Sequence, residues 1–247
     1  MRTLLSLWVW LSGTLVVLLW LPLHTLVFLV TAPFDSGRYV AGRCFRLGAK
    51  VVTALNPLWR FRTSGVRVRD PRRPYVAVAN HESMTDILLI SQLPWEMKWL
   101  AKAELFRVPL FGWMMRMAGD VPVRRGERSS RVEALEQCRD RLRKRVSVMI
   151  FPEGTRSRTG ELLPFKDGAF RLAVETGCPI LPLAVTGTRG ALPKGSFQIG
   201  RARAEVRVLE PIPTEGLTLE DVPALRDRVR ALLQETRDQL ARELQGA

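Results

Sequence analysis

The chain has 247 residues, 47% of them hydrophobic, and its 38 Lys and Arg against 24 Asp and Glu give a net charge of +14. That length fits one sizeable domain with an appendage, and three isolated cysteines (Cys44, Cys138, Cys178) argue against a disulfide framework and for a reducing compartment. With no CxxC or paired-His spacing, they also argue against a metal site.

The charge points to nucleic acid or to an anionic membrane surface. Residues 1–70 hold nine Arg and Lys against two Asp, half of the net charge, and this half includes an uncharged run over residues 3–34. No nucleic-acid motif competes. The expected partner is therefore an anionic membrane face, where each basic side chain adds about 1 kcal/mol.

Residues 4–30 exceed the roughly 20 apolar residues needed to span a bilayer. Trp8, Trp10 and Trp20 suit interfacial depth, and Pro22 is expected to break the run into two short halves. A spanning helix, a helical pair in one leaflet and a cleaved signal peptide are the readings. The length of the apolar region and the lack of an Ala-x-Ala site weigh against the last. Arg38, Arg43, Arg46 and Lys50 crowd the C-terminal flank, which predicts a cytoplasmic location for that side.

Residues 37–55 read as an amphipathic helix. Val40, Cys44, Leu47, Val51 and Leu55 form its apolar face, and Arg43, Arg46 and Lys50 a basic stripe facing lipid head groups or water. Strand-like residues 60–73 follow. From Pro74 short strands alternate with helices: strands at 75–80, 98–101, 121–123, 146–151, 180–185 (interrupted by Pro182) and 203–209, and helices at 87–93, 127–145, 167–176 and 219–244, with an apolar helix or loop at 106–117. Repeated βα units imply an α/β domain with a mostly parallel sheet flanked by helices. The expected division is a membrane-embedded helical segment at 1–34, an amphipathic interfacial helix and linker at 35–58, and a catalytic domain at 59–247.

Only two histidines occur, and His24 lies in the apolar run. His81, in Asn80-His81-Glu82-Ser83-Met84-Thr85-Asp86, follows a strand and precedes a helix, where α/β sites usually form. Asp86 could fix its tautomer, as an Asp does in a triad. The same Ser83-x-x-Asp86 spacing also fits a helix capping box. Phe151-Pro152-Glu153-Gly154-Thr155-Arg156-Ser157 follows a buried strand. In it Gly154 permits close backbone approach, Thr155 and Ser157 offer hydroxyls, Arg156 a bidentate fork for phosphate, and Glu153 an acceptor for a polyol or an orienting group for Arg156. Arg125, at the end of Gly119-Asp120-Val121-Pro122-Val123-Arg124-Arg125, and Lys102 are further cationic candidates. The bland alternative for each is a solvated surface charge.

Asn80-His81-x4-Asp86, Gly119 to Arg125, Phe151 to Ser157 and Pro179-Ile180-Leu181-Pro182 together resemble the four ordered blocks of the glycerolipid acyltransferases, in particular the bacterial 1-acyl-sn-glycerol-3-phosphate acyltransferases. Residues 102–113 and Pro164-Phe165-Lys166-x-Gly168 resemble that family's connecting regions, and the resemblance covers about residues 60–215. Arg124 departs from it, standing where relatives often carry an acidic residue. The resemblance implies an acyltransferase fold and transfer of a fatty acyl group from acyl-CoA or acyl carrier protein to lysophosphatidic acid at an inner membrane's cytoplasmic face. It implies His81 as base with Asp86, and acceptor binding by Lys102, Arg125, Glu153, Gly154, Thr155 and Arg156, with no cofactor and no metal. Without a Gly-x-Ser-x-Gly elbow, direct transfer in a ternary complex is expected. A lyso-ornithine-lipid or other lysolipid acceptor, a thioesterase and a non-catalytic basic membrane-binding protein are the alternatives.

Overall fold

The computed structural model describes residues 2–157, 160–193 and 195–246, the side chain of Arg2 excepted. Four β2 and β5 residues each, Val76–Ala79 and Ser147–Ile150, are buried on both faces, as the near-continuous apolar runs of a parallel sheet require. The other strands are β1 (Trp59–Gly65), β3 (Met97–Lys102), β4 (Val121–Val123), β6 (Ile180–Thr186) and β7 (Ala202–Val208). They form one seven-stranded sheet in the order β1-β7-β6-β2-β5-β3-β4. Every neighbouring pair is parallel except β6 and β7.

Side-chain alternation along β2 divides the core. Val76 and Val78 point to one face, packed by α5 (Arg128–Arg143), α6 (Gly168–Thr176) and α7 (Val222–Gly246). Ala77 and Ala79 point to the other, with α3 (Asp86–Ile90), Trp95 and Trp99. Pro182 does not interrupt β6. It stands opposite Leu209 at the end of the stretch that pairs with β7; its carbonyl accepts the Leu209 N–H at 3.0 Å, and its missing N–H removes only the return bond of that terminal pair. The apolar stretch at 106–117 divides into a 3-10 turn ending at Arg107 and α4 (Phe111–Ala118).

Pro22 likewise fails to break the apolar run. Helix α1 (Arg2–Thr31) is continuous and, by length and composition, could cross a membrane. It is held in line on both sides of the proline. The Trp20 indole N–H donates to the Cys44 carbonyl at 2.9 Å, and the His24 ring lies 3.0 Å from the Ala41 carbonyl. Both contacts run from α1 side chains to α2 carbonyls, so α2 braces α1 across the proline. The tryptophans split by role: Trp8, Trp10 and Trp113 are exposed, whereas Trp59, Trp95 and Trp99 are buried.

Helix α2 (Tyr39–Ala54) corrects the expectation of an outward basic stripe. Val40, Leu47 and the following Leu55 are exposed, and the stripe turns inward. Arg43 donates to the Leu93 carbonyl and Lys50 to that of Gln92. Arg46 is buried, paired with Asp120 and 3.8 Å from Glu96. Glu96 in turn meets Lys98 at 3.0 Å, and Lys98 donates to the Arg38 carbonyl at 2.7 Å. Gly42 lies against this quartet, where any Cβ would collide with Glu96 and Lys98. Burial pushes Glu96 up and Lys98 down from their ordinary pKa values, and each opposes the other's shift.

Removing one member of a buried pair strands the other charge. Asp120→Ala should therefore cost about 3–5 kcal/mol, read as a lowered unfolding midpoint in detergent. An unchanged midpoint would mean that the quartet does not hold α2 to β3.

Candidate active site

Strand β2 ends at Ala79, and the next side chain continues its pairing. Asn80 donates to the Val185 carbonyl and accepts from the Val185 N–H, each at 2.8 Å, adding a rung between β2 and β6. The chain then turns, and His81 lies at the carboxyl end of the sheet with its ring stacked on Phe151, centroids 4.0 Å apart.

The His81 Nδ1 lies 2.8 Å from Asp86 Oδ2. The same oxygen accepts the Glu82 N–H at 2.8 Å and the Ser83 N–H at 3.0 Å, and the Thr188 hydroxyl donates to Oδ1. One carboxylate thus makes both contacts that the spacing allows, to the imidazole and back to the Ser83 amide. With Nδ1 committed to Asp86, Nε2 is the nitrogen left for proton transfer.

Glu153 is not free to bind a polyol or orient Arg156. It is buried; Oε1 accepts the His81 N–H at 2.7 Å and Oε2 the Leu163 N–H at 3.0 Å. Its role here is to fix the His81 backbone. The Ser157 N–H returns to the His81 carbonyl at 3.0 Å, and Arg230 and Arg237 of α7 donate to the carbonyls of Leu162 and Gly160. Gly154 takes a positive φ of 69°, and a Cβ there would lie 2.8 Å from the Lys166 Nζ. Only glycine combines that conformation with that approach.

Arg125 and Arg156 come close enough for their charges to interact. Burial lowers the pKa of Arg125 first, Glu104 opposes that shift and Arg156 adds to it. Among the described residues neither arginine has an ion-pair partner, so both cations remain available to an anion. Lys102 is engaged by Glu104 at 3.1 Å, and Thr155 is exposed and forms no hydrogen bond with a described residue. Arg124, the departure from the family pattern, is tied to Glu127 at 2.7 Å.

Two participants were not singled out as site residues. Lys166 stood in a connecting motif and carried that much signal. Thr188 is 102 residues from Asp86, and nothing local marks it. Behind the His81 turn, an apolar cavity of about 130 Å³ runs between Met84, Ile87 and Leu88 on one side and Val17, Trp20 and Met115 on the other, with Arg46 and Asp120 in its lining.

Comparison with known proteins matches residues 60–186 to the family described as Acyltransferase. The chain is 39% identical over 173 residues to human 1-acyl-sn-glycerol-3-phosphate acyltransferase alpha, covering 69% of this chain and 61% of that protein. It is 41% identical over 143 residues to the chloroplastic 1-acyl-sn-glycerol-3-phosphate acyltransferase BAT2 of Brassica napus, covering 58% and 41%. The chain therefore spans less than two thirds of these relatives' own length. The crystal structure of the 1-acyl-sn-glycerophosphate acyltransferase of Thermotoga maritima is similar at a TM-score of 0.80 and 26% identity, covering 97% of this chain and 96% of that one.

Desolvation first, then Asp86, pushes Glu82 up to about 7, and desolvation likewise pushes Glu153 up to about 7. Between the ordinary glutamate pKa and about 7 the native chain keeps protons that the unfolded chain has released. Stability therefore falls as pH rises through that window. Glu82→Gln should flatten the decline in melting temperature between about pH 5 and 7. An unchanged slope would show that Glu82 does not carry it.

Proposed function

Because the chain belongs to the acyltransferase family matched over residues 60–186, we propose that it transfers a fatty acyl group from acyl-CoA or acyl carrier protein to the sn-2 hydroxyl of 1-acylglycerol-3-phosphate, giving phosphatidic acid. The observation that carries this reading is the imidazole of His81, oriented at Nδ1 by Asp86, in a chain that also brings Arg125 and Arg156 within range of each other's charge. His81 Nε2 takes the acceptor's hydroxyl proton as that oxygen attacks the thioester carbon. The C–S bond of the resulting tetrahedral intermediate then breaks, and the same nitrogen returns the proton to the departing sulfur. No acyl-enzyme forms, since all three cysteines are buried and lie outside the His81 turn. Arg125 and Arg156 neutralise the acceptor's phosphate, with Lys166 beside Gly154 as a third cation. The apolar cavity behind Met84 and Leu88 offers room for an acyl tail.

Both lipids partition into bilayers, which accounts for α1 and for the exposed apolar side chains of α1 and α2. We place the catalytic side at the cytoplasmic face of an inner membrane, where anionic lipid would meet the basic surface of the chain. A phosphomonoester, which carries no cation of its own, suits unpaired arginines better than the zwitterionic head group of a lyso-ornithine lipid does.

Purified protein should release thiol from acyl-CoA only when lysophosphatidic acid is present, and His81→Ala should lower that rate by roughly 10²–10⁴-fold. Release without acceptor would indicate a thioesterase, and an unaffected His81→Ala variant a non-catalytic role. Arg156→Ala should raise the KM for lysophosphatidic acid by about tenfold or more, as loss of a charge-assisted hydrogen bond implies. Full competition by lyso-ornithine lipid would instead move the acceptor assignment to that class.

A further inference from the structure

Four arginines gather at the β1 corner of the sheet, away from the His81 site. The parallel register sets Arg60 directly opposite Arg203, and Arg62 opposite Glu205. Like charges in directly opposed positions are destabilising, so an arginine pair here calls for an anion. The described residues supply none. Glu205 is bonded by Ser64 and by Arg207, and Arg207 also takes Glu243. Among the described residues, Arg60, Arg62, Arg201 and Arg203 form no ion pair. Elsewhere the carboxylates of Glu136, Asp140 and Glu175 are shared among four arginines and a lysine.

The corner adjoins the apolar helix. Leu5 of α1 lines a groove with Leu58, Arg60, Arg201 and Arg203, and Leu244 closes a second groove with Arg60, Arg62 and Arg203. Next to it Leu4, Trp8 and Leu11 are exposed, as is Phe197, whose ring packs edge-on against Trp10. Exposed tryptophans beside leucines mark head-group depth, so these arginines sit where lipid phosphates lie. Strands β1 and β7 also begin at the end of the sheet where β6 finishes, since Thr186 pairs with Glu205. The corner is thus at the His81 end, three strand spacings or about 14 Å from β2.

We propose that Arg60, Arg62, Arg201 and Arg203 form a docking site for the phosphate head groups of anionic phospholipids, which fixes the depth and tilt at which the His81 end meets the bilayer. This rests on the membrane reading above. It also moves the expected lipid contact from the α2 stripe, which is turned inward, to the sheet corner.

The test uses the full chain in neutral detergent. Tryptophan quenching by brominated phosphatidylglycerol against brominated phosphatidylcholine measures lipid preference without any turnover. Wild type should prefer phosphatidylglycerol. Arg60→Gln with Arg203→Gln should weaken that preference by about fivefold per arginine, with an unfolding midpoint no lower than wild type, because a like-charge pair is relieved. Arg156→Gln, which touches only the proposed acceptor site, should leave the preference intact. An unchanged preference in the double variant would overturn the proposal. So would displacement of phosphatidylglycerol from wild type by inorganic phosphate or adenosine 3′,5′-bisphosphate at equal concentration, since the site would then take soluble phosphates. Protein that fails to enter phosphatidylcholine vesicles at all would remove the membrane reading itself. Entry without phosphatidylglycerol preference would remove only the arginine corner.

Discussion

A desolvated carboxylate must be met by donors or it will not stay ionised in a protein interior, and around the Asp86 carboxylate this requirement organises the site. The side chain is fully buried, and four donors replace its water: the His81 ring, two successive backbone amides and the Thr188 hydroxyl. The last lies beyond β6, so the turn after β2 and the turn after β6 are tied at one point. Glu153 repeats the device from β5, joining the His81 amide to that of Leu163. Two buried carboxylates thereby bind the loops of three adjacent strands into one rigid mouth. The imidazole is held from its ring, its amide and its stacked face on Phe151.

The quartet of Arg46, Glu96, Lys98 and Asp120 obeys the same rule on the other side of the apolar cavity. Burying four charges stabilises less than their number implies, since desolvation offsets most of the attraction. What the arrangement secures is position. Arg46 reaches from α2 to β3 and to the residue before β4, and the absence of a side chain at Gly42 lets the helix close on it. Helix α2 is fixed to the sheet by polar bonds, and α1 lies on α2 through Trp20 and His24. The apolar cavity therefore has one wall from α1 and one from the His81 turn.

Sequence patterns revealed what is local. The βα alternation gave the parallel sheet, and a five-residue spacing joined His81 to Asp86. Longer separations were silent: 102 residues lie between Thr188 and Asp86, and 74 between Arg46 and Asp120. The basic stripe of α2 misled because three arginine or lysine side chains on one helix face look the same whether they meet lipid phosphate or buried carbonyls and carboxylates. Pro22 misled because the bonds that brace α1 run from Trp20 and His24 to α2, a partner that the local sequence does not show. Glu153 was read as a ligand group because its neighbours Arg156 and Gly154 have that character. Its two amide partners could be found only in three dimensions.

The cysteines carry a chemical consequence of their own. Cys44, Cys138 and Cys178 are all buried, and burial raises each thiol's pKa, that of Cys138 to about 12. Thiolate is the reactive form in disulfide exchange and alkylation, so the folded chain presents almost none. Under the proposed transfer from an acyl thioester, these protonated, buried thiols give that electrophile no sulfur to acylate in place of the acceptor hydroxyl. The fold would thereby keep the chain inert toward its own acyl donor.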